Sequence, residues 1–459
     1  MSRTWIRIGY AFFCTVLIAA LGLSEVQGQE AHEQYAYMKY ETDGSASIVL
    51  VDPMTLETTT LTTIAVSGDE SIAAGHLSPT GDWIVLSVYS DQSLALRLFN
   101  LRTHEVVSVI DDYTFPRRPE IYSGEFVVFA WSPDGRYLAF HRQTGEEQQA
   151  ALLYDTVAHT LTDLAAPDTN QYQLSWSPDS SRVALFSMMC GHLDCTRAAI
   201  DIYDAASATL ASSIDLRAFS KNDFGEASNF CELRWNTDGT RLSFFDYCDP
   251  SGLGPPREVQ VVDLASGTIT PATHLTPTYP EPARSVFTAT VDTIWADSQT
   301  LLIGTRASEG EIIVSAEGKI SVSGSSQRVF TLRSNTSTQT ISPVTERHLG
   351  QWSRASDHLF AYLAYEYNPD PGVGPDVTDV QVEIAAFDGQ TLTPLASGPS
   401  GCFLSWNSRG DTLAYVEEHY AAADLCSGSF ETLHFIDTMS TRTFTTDGNT
   451  AALGWYRPQ

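Results

Sequence analysis

The sequence predicts an all-β fold, a β-propeller of eight four-stranded blades with seven as the alternative count. Three observations carry that prediction: one motif returns every 45 to 60 residues, each copy is followed by two hairpin patterns, and helical periodicity is nearly absent beyond the first 28 residues. The clearest copy is Trp131-Ser-Pro-Asp-Gly135-Arg-Tyr-Leu-Ala-Phe140, repeated from Trp176 and Trp235. Looser copies start at Leu77, Trp295, Trp352 and Trp406, and Gly454-Trp455-Tyr456 begins a last one. A short apolar stretch ends in an aromatic, a Pro-Asp-Gly turn reverses the chain, and an alternating run returns antiparallel. A second hairpin follows, as in Ala151–Asp155 turning into Thr160–Leu164, which makes four strands per repeat. The turn residues Asp134, Asp179 and Asp238 are expected to cap their own turns.

The terminal fragments complement each other. Tyr35–Tyr40, Ser47–Val51 and Glu57–Thr62 are three strands without an innermost one, and the strand at Trp455 is an innermost one without a blade. Pairing them closes the ring and removes two open sheet edges, so residues 29–459 form one domain whose last blade is shared between the termini. The segment 299–345 departs from the pattern with one strand too many, read as an inserted hairpin or an irregular blade.

Charge excludes some partners. The chain carries 56 acidic against 26 basic residues, net −30, and only three lysines, Lys39, Lys221 and Lys319. Such a surface repels phosphate backbones and anionic lipid, which opposes nucleic-acid binding and attachment to acidic membranes. Residues 1–28 have the layout of a secretory signal: Arg3 and Arg7, an uncharged stretch from Ile8 to Ser24, and Val26-Gln27-Gly28 before a cleavage site. The expectation is export to a periplasmic or extracellular space without stable membrane insertion after cleavage, as a monomeric scaffold. Six cysteines then remain, Cys190, Cys195, Cys231, Cys248, Cys402 and Cys426, an even number in an exported chain and so disulfide candidates. Proximity favours Cys190 with Cys195, Cys231 with Cys248, and Cys402 with Cys426, among 15 possible pairings.

The Trp-Ser-Pro-Asp-Gly turn followed by a polar residue and Leu-Ala-Phe resembles the WD40-like (PD40) repeats of TolB-type propellers, also seen in propeller domains of prolyl-oligopeptidase-type peptidases. The resemblance covers nearly all of the chain after the signal. It implies a fold more than an activity, because the motif residues build turns and inter-blade packing; Trp131, Trp176, Trp235, Trp352 and Trp406 are expected as core aromatics. The peptidase relatives carry catalysis on a separate domain with a Gly-x-Ser-x-Gly elbow, which this chain lacks. Some relatives look like polysaccharide lyases that hold a divalent metal with several histidines; the histidines here show no paired spacing. Polar residues just before the motif aromatic, His76, Arg234 and Gln351, face either the central channel or the next blade.

Two rims follow from the repeat. The turns joining strands 1 to 2 and 3 to 4 lie on one rim and are short; the remaining connections lie on the other and hold nearly all the long segments. Long loops on a rigid scaffold carry recognition, so that rim is the predicted binding surface. The candidate contacts are Asp112, Tyr113, Phe115, Arg117, Arg118, Tyr367, Glu417, Glu418, His419 and Tyr420. Asp370, Asp376 and Asp379 in a Gly/Pro loop supply oxygen ligands that would suit Ca²⁺, without EF-hand spacing; no catalytic residue, metal site or other cofactor is predicted. The leading reading is an exported, non-enzymatic binding or scaffold module for a protein, peptide or glycan. The alternative is a propeller enzyme, a metal-assisted lyase or hydrolase on an extracellular polymer.

Overall fold

The computed structural model describes residues 32–458 apart from 43, 66–69, 91–93, 114–128, 145–147, 165–169, 191–194, 220–229, 247–257, 273–284, 315–319, 324–328, 336, 341–346, 357, 368–376, 418–429 and 447. The segment read as a signal lies outside them. Among the described residues the chain is β-strand and turn, with one 3-10 turn at Arg217–Phe219. It is a β-propeller built of four-stranded blades. The sheets span 71–110, 129–163, 170–215, 231–271, 285–340, 348–398 and 401–445, and a further sheet joins the chain ends. In that last sheet Thr450–Tyr456 pairs antiparallel with Gln34–Tyr40, from Gln34 opposite Tyr456 to Lys39 opposite Thr450. Ala46–Val51 and Thr58–Ile64 complete it outward, so the termini share a blade.

Seven of these sheets are four-stranded blades, which corrects the expected count of eight to seven, and the sheet 285–340 has five strands, the irregular segment expected over 299–345. The extra strand has a local cause. Leu301–Val314 runs unbroken: residues 302–307 pair with Val329–Ser334, and Glu311–Val314 carries on to pair with Ile320–Ser323. The two strands expected over 301–315 are therefore one, from which a hairpin grows beyond the sheet.

Each strand's burial follows from its place in the ring. Second and third strands lie between two neighbouring sheets and are covered on both faces, so Ala46–Val51 is buried throughout and reads as a continuous apolar run rather than an alternation. Fourth strands face outward and use threonine, β-branched and polar together, as in Thr58–Ile64 and Thr441–Thr445. An apolar cluster fills the contact between each sheet and the next. Val85, Leu98 and Tyr113 meet Leu138, Phe140 and Tyr154 in one; Ile48 and Leu453 meet Ile84 and Phe99 in that at the chain ends.

The motif turn explains its own residues. Ser132 Oγ donates to Asp134 Oδ1 at 2.6 Å and accepts the Tyr137 N–H at 2.9 Å, while Gly135 sits at φ +71°, where a side chain is strained. Ser177 and Asp179 repeat this, with Ser180 at φ +62° in the glycine's place. The hydroxyl of Ser177 holds the Asp179 carboxyl down at about 2. Asp52, Asp155, Asp204, Asp263, Asp388 and Asp437 cap the second turn of their sheets by accepting backbone N–H groups. Part of the net charge is thus turn chemistry on the short-turn rim.

The motif indoles tie one sheet to the one before. Trp131 Nε1 donates to the His76 carbonyl at 3.2 Å, Trp176 to Ala130 at 2.9 Å, Trp235 to Ser175 at 2.9 Å, Trp406 to Ser353 at 3.3 Å and Trp455 to Ser405 at 2.9 Å. Each acceptor immediately precedes the motif position of its own strand, which reveals a register correction. Arg354, opposite Phe360, occupies the place that Trp131 holds opposite Leu138. The mark at Trp352 is therefore two residues early, and Trp352 is buried against Tyr362, ring centroids 4.7 Å apart. Trp176→Phe keeps a ring but strips the donor from the Ala130 carbonyl; a loss of about 1–3 kcal/mol in urea unfolding is expected.

Candidate functional site

The innermost strands surround the axis, and their chemistry comes from a repeated irregularity. Gln173, Glu232 and Phe403 lie three residues before Trp176, Trp235 and Trp406 and adopt φ of +53°, +57° and +56°, each at a register shift in its strand. Left-handed non-glycine backbone costs on the order of 1 kcal/mol, and the bulge re-aims the side chain. Gln173 Oε1 thereby accepts the Leu233 N–H of the next sheet at 3.1 Å. Glu232 holds Arg234 at 2.7 Å, and Arg234 also reaches Asp292 of the following sheet at 3.4 Å. Phe403 meets His76, two sheets away around the ring, with ring centroids 6.5 Å apart. His76 is exposed to solvent yet closely surrounded by protein, and that desolvation lowers its imidazole below the usual pKa. His76 and Arg234 thus stand on the axial side; at the corrected register Ser353, not Gln351, is their counterpart.

A cavity of about 280 Å³ opens where four consecutive innermost strands end on the short-turn rim. Trp176, Trp235 and Trp295 line it with Arg234 and Arg354, and Ser175, Asn236 and Thr237 add polar groups. The repeat deviates on this side. Trp295 Nε1 donates to Ser243 Oγ at 3.0 Å, and Arg354 donates to the Ala296 carbonyl at 3.0 Å. The other indoles bond the carbonyl just before the preceding motif position; these two groups do not.

The long-connection rim carries the residues predicted to bind. Asp112 is exposed there. Tyr113 is buried, its hydroxyl donating to the His141 carbonyl at 2.7 Å, and burial pushes its pKa up. It anchors the segment that leaves the sheet. Glu417 is held as well: its carboxylate accepts from His434 Nε2 at 2.9 Å, while His434 Nδ1 meets Thr443 Oγ1 at 3.1 Å. A neutral His434 satisfies both contacts, donating from Nε2 and accepting at Nδ1. Phe115, Arg117, Arg118, Glu418, His419 and Tyr420 lie outside the described residues; Tyr367 ends a strand, Leu359–Tyr367, its side chain outside the description. Asp379 Oδ2 is 3.1 Å from the Arg347 guanidinium, and Asp370 and Asp376 lie outside the described residues. No group of three or more His, Cys, Asp or Glu placed to hold a metal occurs among the described residues.

Cys195, Cys231 and Cys402 are disulfide-bonded, and Cys190 stands opposite Cys195 in the strand register. Cys248 and Cys426 lie outside the described residues. Asp246 stands at the foot of the connection that holds Cys248. Its carboxylate accepts from the Glu258 N–H at 3.1 Å and Gln260 Nε2 at 3.0 Å, yet desolvation outweighs both and pushes its pKa up to about 6. A carboxyl raised on folding favours the native state while protonated; that contribution is complete below about pH 4 and is lost as pH rises through about 6. Asp246→Asn, neutral throughout, is expected to gain about 1–2 kcal/mol over the native chain at pH 7.5 and nothing at pH 4, read by denaturant unfolding at both.

Sequence reasoning missed the cavity, because Trp352 drew the register mark and hid Arg354; counting back from the strand Phe360-Ala-Tyr362 as from Leu138-Ala-Phe140 would have found it. It also missed the Glu417–His434 pair, since cross-strand partners become visible only with register.

No family model matches the chain, and no curated protein matches it. Solved structures similar to this chain include a prolyl endopeptidase (TM-score 0.50, 9% identity, 83% of this chain and 50% of that one). Others are an oligogalacturonate lyase in complex with manganese (TM-score 0.41, 10% identity, 91% and 86%) and TolB from Acinetobacter baumannii (TM-score 0.35, 15% identity, 92% and 82%). No helix among the described residues is long and apolar enough to cross a membrane. The likeness to the prolyl endopeptidase is one of fold, in agreement with the sheet arrangement: the chain is a β-propeller.

Proposed function

We propose that this chain is an exported, non-enzymatic propeller that binds a protein, peptide or glycan across its long-connection rim. The observation that carries this reading is the asymmetry of the two rims. On one, the chain turns within spans as short as 156–159 and 437–440, held by Asp caps. On the other, Ile110 and Phe129 end and begin consecutive strands, as do Glu417 and Thr432, and Asp215 and Cys231, with a 3-10 turn at Arg217–Phe219 among the described residues between the last two. A rigid ring holding variable connections on one face is built as a recognition scaffold. On this reading the hairpin that leaves the sheet 285–340 on the same rim adds to the binding face. The disulfides Cys190–Cys195, Cys231–Cys248 and Cys402–Cys426 brace that face, in keeping with a periplasmic or extracellular setting.

The test is affinity capture with the chain lacking residues 1–28. Replacing 114–128 and 418–429 by Gly-Ser linkers of equal length is expected to abolish specific capture with the thermal midpoint retained. Met54→Ala and Met439→Ala, at exposed residues on the opposite rim, are expected to leave it intact. Capture that survives the loop replacements and is lost with the two methionines reverses the assignment.

A further inference from the structure

We propose that Met54 and Met439 form an oxidation site on the short-turn rim, where a hydroperoxide converts both thioethers to sulfoxides while the ring stays folded. The inference is independent of the long-connection rim.

Burial sorts the methionines that follow the leader. Met38 is 0% exposed and Met188 6%, against 40% for Met189, 60% for Met54 and 93% for Met439. The two buried ones are built into apolar clusters, Met38 where the chain ends meet and Met188 between the sheets 170–215 and 231–271. The Met188 sulfur also accepts the Tyr172 hydroxyl. Met54 and Met439 stand instead on Asp-capped turns. Asp52 Oδ1 accepts the Met54 N–H at 2.7 Å and Asp437 Oδ1 the Met439 N–H at 2.7 Å, so each backbone is fixed while its thioether stays in water. The two turns adjoin across the seam between their sheets. Arg442 donates from Nε to the Pro53 carbonyl at 2.6 Å, from Nη1 to Ser440 Oγ at 2.6 Å and from Nη2 to Asp437 Oδ2 at 3.0 Å, which ties the turn of Met54 to that of Met439.

The reaction needs access rather than a catalytic group. The sulfur lone pair attacks one oxygen of the peroxide; an S–O bond forms and the O–O bond breaks. The departing oxygen takes up a proton and leaves as water from hydrogen peroxide, or as an alcohol from an alkyl hydroperoxide. Sulfur gives up two electrons and the peroxide accepts them. A sulfoxide reductase working with a dithiol reverses the change: the dithiol becomes a disulfide and the oxygen leaves as water. A sulfoxide is polar where the thioether was apolar, so the same oxygen on Met38 or Met188 would disrupt the packing of two sheet interfaces. On Met54 and Met439 it meets solvent. A buried thioether reacts only from an opened state, so the exposed pair takes the oxidant first.

The test is a timed exposure of the full chain to hydrogen peroxide, read by peptide mass spectrometry. Met439 and Met54 are expected to gain oxygen at least about tenfold faster than Met38 and Met188, with Met189 between them. The chain oxidised at the pair is expected to keep its thermal midpoint within about 2 °C, and a sulfoxide reductase with dithiothreitol to return both residues to thioethers. Met54→Leu with Met439→Leu is expected to remove the fast phase of peroxide uptake; should that variant misfold, the residue-by-residue rates of the native chain decide. Oxidation of Met38 or Met188 as fast as Met439 overturns the proposal. So does a thermal midpoint that falls in step with oxidation of the pair, or sulfoxides that the reductase leaves in place.

Discussion

Removal of residues 450–459 is expected to abolish cooperative folding of the whole ring rather than trim one end of it. Thr450–Tyr456 is the innermost strand of a sheet whose other three strands come from residues 34–64, so its loss bares the inner edge of Gln34–Tyr40. It also breaks two interfaces at once. Trp455 donates to the Ser405 carbonyl and stands edge-on to Tyr35 at 5.7 Å, while Leu453 and Tyr456 belong to the cluster shared with Ile84 and Phe99. Uncovering these three side chains alone costs about 5–9 kcal/mol, comparable with the ~5–15 kcal/mol that holds a typical protein folded. Thermal melting by circular dichroism and dye binding should show a broad, non-cooperative transition and exposed apolar surface. A sharp melt within a few degrees of the full chain would mean that closure is dispensable.

Gly401→Ala is expected to cost about 3 kcal/mol or more in urea unfolding. A Cβ at this position would fall far inside contact distance of the Tyr415 ring and the Val416 carbonyl. Tyr415 is fully buried, packed among Leu363, Ile384 and Ile436, so its ring has nowhere to go. The carbonyl belongs to the paired strand, where Cys402 opposes Val416, so relief requires the strands to part. Gly267→Ala makes the contrast: its Cβ meets nothing within 4 Å, and only its φ of +68° resists, at a cost of about 1–2 kcal/mol. If the two substitutions cost the same, the close approach at Gly401 is not real.

The ring was legible because its signal repeats. Trp131, Trp176 and Trp235 each announce a turn whose serine or asparagine bonds the aspartate two residues on and accepts a backbone N–H. The pairing of the termini followed from counting strands. Where the repeat decays, pattern and register part: Trp352 looked like the motif residue two positions before the real one, and Leu301–Val314 looked like two strands because nothing in its alternation shows that one sheet releases it and a hairpin takes over. Candidate contacts were harder to read. An aromatic at a loop's edge can anchor the loop or face solvent, and Tyr113 anchors it; a loop acid can recognise a partner or pair across strands, and Glu417 pairs with His434. Sequence order does not contain that choice, which depends on the strand alongside.

The most direct test of recognition across the long-connection rim is hydrogen–deuterium exchange of the full chain with and without its captured partner. Binding is predicted to slow exchange in 111–128, 216–230, 246–258 and 418–431 and to leave the turns at 52–57, 156–159, 205–208 and 437–440 unchanged. Protection confined to those short turns, with the long connections exchanging as in the free chain, would contradict the account.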